Sequence, residues 1–159
     1  MTSDNCVDQI WLIIDKYIDY TKTTGVHIIR QILIKNLTHD VGTFHISDEM
    51  REISKLEISI IKKGQQNGQF HNTSDPRVLV VLLHQVLHSM GLMWAIFHGE
   101  FDLSKSARFL LENLLDVDAS YRMTNEKDLD TFMDLFKGMI QTNQTHHSSD
   151  SDTTKHSKS

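Results

Sequence analysis

Apolar residues recur along most of this chain with the three-and-four spacing of amphipathic helices. In residues 7–21 the stripe is Val7, Ile10, Trp11, Ile14, Tyr17, Ile18 and Thr21, with Asp8, Asp15, Lys16, Asp19 and Lys22 on the wet side. Thr24-Gly25 punctuates it, and residues 26–37 carry a second stripe at Ile28, Ile29, Ile32, Leu33 and Leu37. Their β-branched content makes a strand the alternative there, but the run is long for a strand and its period is nearer 3.6 than 2.

After a loop around residues 40–45, Ser47-Asp48-Glu49 offers a capping hydroxyl and two carboxylates for the positive end of a helix dipole. A third helix is expected from there, with Met50, Ile53, Leu56, Ile60 and Ile61 inward, ending in the glycine-bearing stretch 64–68. Asp75-Pro76 opens a fourth, since Pro suits the first helical turn and Asp the cap before it. From residue 78 to 97 that helix is apolar on nearly every side, interrupted by His84, Gln85, His88 and Ser89. Such a helix is expected to be buried all round, by its own chain or by a second subunit. A transmembrane span is the alternative, opposed by those four polar side chains and by the absence of a Lys or Arg clamp flanking both ends.

Asp102 or Ser104 caps a fifth helix with Ala107, Leu110, Leu111, Leu114 and Leu115 on one face. Residues 125–140 read as a sixth, with Leu129, Phe132, Met133, Phe136, Met139 and Ile140 opposite Glu126, Asp128, Asp130 and Asp134. This acidic amphipathic helix either closes the core or docks a protein. From 142 to 159 there is no apolar residue, and a disordered polar tail is expected. The expected organisation is one compact lobe over 1–120, the acidic helix over 121–141, and the tail.

Composition agrees with an all-α bundle of about six helices. The 159 residues suit one domain, and seven Gly with one Pro are too few for a many-stranded sheet. A formal charge of −5, from 16 Lys and Arg against 21 Asp and Glu, has the wrong sign for gripping phosphates. Residues 1–50 hold four Lys or Arg and seven Asp or Glu, so the Gly25 turn is a poor candidate for a DNA-reading helix-turn-helix. The single Cys6 excludes an intrachain disulfide and any CxxC motif, and the start Met1-Thr2-Ser3-Asp4-Asn5 lacks the positive charge of a secretory signal. A cytoplasmic protein with no membrane attachment is expected.

Candidate chemistry is sparse. No nucleophile elbow or glycine-rich phosphate loop is present, and no cofactor is implied, so an enzyme is not expected. The carboxylate pairs Asp15/Asp19 and Asp130/Asp134 lie on wet faces. His84 and His88, four residues apart, project from one helix face. They fit hydrogen bonding within the core or an interface, polar anchoring of an apolar ligand pocket, or a two-histidine metal site that draws a third ligand from His45, His98 or an Asp.

One resemblance adds to this. Gly64-Gln65-Gln66-Asn67-Gly68-Gln69-Phe70, then Asp75-Pro76, a long apolar helix and Gly91-Leu92-Met93-Trp94, resembles the effector-binding half of TetR/AcrR-type bacterial transcriptional regulators. The likeness covers residues 5–116 and is most specific over 53–115. It implies a lobe that dimerises through helices 76–97 and 104–116, with Leu83, Leu87, Met90, Leu110 and Leu114 at the interface. It also implies a pocket for a small apolar effector, with Tyr17, Ile53, His84, His88 and Trp94 as ligand-binding candidates. Family members begin with a three-helix DNA-binding domain, and this chain starts directly in what corresponds to the effector lobe. DNA would then be reached only through a separate or missing domain. The other functional readings are a helical interaction module and a metal-responsive sensor using His84 and His88.

Overall fold

The computed structural model describes residues 5–38 and 48–145. They form an all-α protein, with no strand among the described residues: α1 (Cys6–Thr38), α2 (Asp48–Gln66), α3 (Pro76–Ile96), α4 (Leu103–Leu115), a 3-10 turn (Glu126–Leu129) and α5 (Asp130–Thr145). The expected cap at Ser47, the loop 40–45 and residues 146–159 of the expected tail lie outside the described residues, as does the side chain of Met50.

Gly25 interrupts the first element without ending it, its φ of 80° and ψ of 156° breaking the helix while the chain continues to Thr38. The first two expected helices are thus present and meet at a kink on Gly25, and the strand alternative for 26–37 falls. Before the bend the expected stripe is buried, from Val7 through Ile18 to Thr21, whose hydroxyl donates to the Tyr17 carbonyl at 3.0 Å. Beyond it Ile28, Ile32 and Leu37 stay exposed, so the second stripe is amphipathic without being covered.

The turn after α2 is set by glycine. The Gln69 and Phe70 amides both donate to the Gly64 carbonyl, and Gly68 takes a φ of 70°. Phe70 then turns back over Gly64 into the core and makes an isolated antiparallel bridge with Val117 beyond α4.

Asp75 caps α3 by accepting from the Arg77 amide at 2.8 Å, with Pro76 in the first turn. α3 packs against α1, α2 and α4 and is the central helix of the bundle. It is also long and apolar enough to cross a membrane by length and composition. It is not buried all round: Leu79, Val80, Leu83, Leu87, Met90 and Ala95 face inward, while Val78, Val81, Leu82, Leu92 and Ile96 remain exposed. Asp102, accepting from the Lys105 amide, caps α4. Arg108 on α4 lies over the Trp11 ring and pairs with Asp15 at 3.1 Å, fastening α4 to α1. Glu112 is fully buried and accepts from the Met123 and Thr124 amides and the Thr124 hydroxyl, pinning residues 123–124 onto α4.

The expected sixth helix is instead a 3-10 turn, capped by the reciprocal bonds of Asn125 and Asp128, followed by α5. α5 runs to Thr145, so residues 142–145 are helical where the tail was expected to begin. Phe132 joins Phe97 and Phe101 at the end of α3, whereas Met133, Met139 and Ile140 are exposed.

Candidate ligand-binding cavity

α1, α2 and α3 line a half-open cavity of about 560 Å³, within the size range of small-molecule sites, with Leu12, Tyr20, Ile53 and Leu56 of its wall exposed to solvent. α1 contributes Leu12, Ile13, Ile14, Lys16, Tyr17 and Tyr20; α2 contributes Ile53, Leu56 and Glu57; α3 contributes His84, Leu87 and His88. Local pattern explains much of this wall. Leu12, Ile13, Tyr17 and Tyr20 widen the apolar face of α1 beyond the stripe that meets the core, and Ile53 and Leu56 lie outside the fully buried positions of α2.

The polar feature of the cavity is a Glu57–His84 hydrogen bond, an ion pair when the imidazole is protonated. Glu57, only 2% exposed, meets Nε2 of His84 at 2.9 Å. This hydrogen bond raises the His84 pKa above its ordinary value, desolvation opposes the shift, and the Glu57 charge adds to it. The imidazolium is favoured because its partner carboxylate has no water to turn to. His88, one turn on, sets its ring edge-to-face with Tyr17 at 5.6 Å. Burial pushes the Tyr17 phenol up, partly offset by its hydrogen bond with Thr21.

No family model matches the chain, and neither does any curated protein or solved structure.

Tyr17, Ile53, His84 and His88 all line this cavity. Trp94 does not: it sits at the end of α3, its indole against Gly99, whose φ of 79° lets the chain turn beneath it. Leu83, Leu87 and Met90, expected at a dimer interface, are buried among the chain's own helices, and Leu87 forms part of the cavity wall. Leu110 and Leu114 are partly buried against the same core.

Lys16, Tyr20, Leu56 and Glu57 belong to the wall without having been singled out from the sequence. Glu57 left a readable signal, because it falls four residues after Ile53 and three before Ile60, on the apolar side of α2. A carboxylate there needs a buried partner. A second cavity of about 540 Å³ shares Tyr17, Tyr20 and His88 with the first and continues along Ile29, Ile32 and Leu33 beyond the bend. The histidine pair has no further metal ligand in place: no group of three His, Cys, Asp or Glu among the described residues could hold an ion, and His98 bonds Arg30. His45 lies outside the described residues.

Proposed function

We propose that this chain is a cytoplasmic, ligand-responsive regulatory lobe of the kind carried by TetR/AcrR-type transcriptional regulators. A small, mainly apolar effector binds between α1, α2 and α3, and DNA is reached through a separate domain. The observation that supports this reading is the convergence of Tyr17, Ile53, His84 and His88, from three helices, on one largely apolar cavity whose buried carboxylate, Glu57, is hydrogen-bonded to His84.

A cavity shared by three helices couples occupancy to helix placement. A ligand that prefers one arrangement of α1 against α3 shifts the population toward it. The outlet for such a shift is the outer face of α3, where Val78, Val81, Leu82, Leu92 and Ile96 form an exposed apolar stripe suited to a second copy. The purified chain is expected to sediment as a dimer and Val81→Glu as a monomer, since Val81 is 58% exposed and its change leaves the core intact. A wild-type monomer overturns the dimer.

Ligand binding is tested by thermal unfolding against a panel of apolar compounds. At a hundredfold excess over Kd, linkage gives about 2.7 kcal/mol, or roughly 5–11 °C for a chain of this length. A hit whose shift survives Leu56→Trp, which fills the cavity mouth, does not bind there and counts against the reading.

A further inference from the structure

We infer that the cavity takes an organic acid: an apolar body with one carboxylate, whose head lies among Lys16, His84 and His88. This rests on the cavity being the ligand site and adds the chemical class of the ligand.

Hydrocarbon and aromatic side chains make up most of the wall, which assigns the body of the ligand. The head follows from which polar groups are already committed. Glu57 is the wall's carboxylate, and it is buried against His84 at 2.9 Å. A ligand ammonium would have to displace His84 from that carboxylate and leave the imidazole without its partner. The uncommitted groups are of the opposite kind. Lys16 has no ion-pair partner among the described residues, and the only contact shown for His88 is the edge-to-face packing with Tyr17. With Nε2 of His84 turned to Glu57, Nδ1 is the ring nitrogen left over, and it is a donor when the ring is protonated.

The charges agree. The cavity wall carries one lysine, Lys16, and one carboxylate, Glu57, which is already engaged by His84, so an anionic head meets a cation without a partner among the described residues, whereas a cationic head meets none of opposite sign left over. The adjoining cavity past Tyr17, Tyr20 and His88 is lined by no Asp, Glu, Lys or Arg, and gives an apolar tail somewhere to extend.

Decanoate, 1-decanol and decylamine form a chain-matched set of probes for calorimetric titration of the full chain at pH 6. Decanoate is expected to bind about tenfold tighter than the alcohol, as a charge-assisted hydrogen bond gives, and the amine weakest. Tightness of the acid should fall as pH rises through the His84 titration, Glu57 on α2 being the group in contact with that ring and Lys16, Tyr17 and Tyr20 on α1 and His88 on α3 the other titratable groups of the wall. Lys16→Gln, at an exposed position, and His84→Gln should each narrow the affinity gap between the acid and the alcohol. Alcohol or amine binding as tightly as the acid, or an acid preference untouched by both substitutions, overturns the acid assignment and leaves the cavity reading standing. If none of the three probes binds, the cavity reading falls and the acid assignment with it.

Discussion

Replacing Gly64 by Ala should destabilise the protein even though alanine is the better helix former. An ideal Cβ at Gly64 would stand 2.2 Å from Cδ2 and 2.4 Å from Cε2 of Phe70, well inside van der Waals contact. The ring has little freedom to yield. Phe70 is buried, its own amide and that of Gln69 are tied to the Gly64 carbonyl, and the residues on either side of it bond Asp116 and Asp118. Overpacking of this kind costs about 3 kcal/mol or more at the severe end, and the gain from removing a helical glycine is about 1 kcal/mol. The net loss is about 2 kcal/mol, or roughly 4–8 °C in Tm for a chain of this length. Gly138 is the internal control: it lies in α5 with nothing within 4 Å of where an added Cβ would stand, so Gly138→Ala should stabilise by about 0.5–1 kcal/mol. Urea unfolding of both variants checks the pair. Phe70→Leu in the Gly64→Ala background should recover part of the loss, a coupling that a double-mutant cycle reads directly. A Gly64→Ala protein as stable as wild type would refute the packing argument.

Two further predictions concern buried carboxylates. The His84 pKa is raised in the folded state by Glu57, so the stabilisation is fully present below about pH 6.5, the ordinary histidine value, and is lost as pH rises through the higher folded value. The urea midpoint of wild type should therefore fall across that window relative to Glu57→Gln, and parallel curves would discard the pair as a source of pH dependence. Glu112→Ala removes the acceptor of the Met123 and Thr124 amides and should cost about 2–4 kcal/mol, from donors left with poorer partners. Hydrogen exchange at those two amides should accelerate, with Glu112→Gln intermediate, and unchanged protection would show that the segment is held otherwise.

What could be read along the chain was local in origin. Asp75-Pro76, Asp102 and the 64–68 turn act through bonds to residues a few positions away, and the structure uses them as the sequence suggests. The core stripe of α1, from Val7 to Ile18, was readable because polar residues on the other side define its direction. Residues 26–37 show the limit of that reasoning. Their period marks a helix, yet period alone does not supply a neighbour, and Ile28, Ile32 and Leu37 remain exposed.

Within the candidate site, His84 and His88 stood out as polar side chains on an apolar helix, whereas Tyr17, Ile53 and Trp94 were candidates only through the family resemblance, and Trp94 lies away from the cavity; the meeting point of the others could not be read. Glu57 and His84 are 27 positions apart, and only the crossing of α2 with α3 brings them to 2.9 Å. The α3 helix makes the same point more sharply. A helix apolar on every side has no internal direction, so its sequence determined that it would be a long, central element but not which side would be covered. Packing by α1, α2 and α4 decided that Leu83, Leu87 and Met90 turn inward and Val81 and Leu82 outward. Propensity, caps and periodicity act within a turn or two of helix, whereas burial and cavity shape depend on where other helices lie, which tertiary structure alone sets.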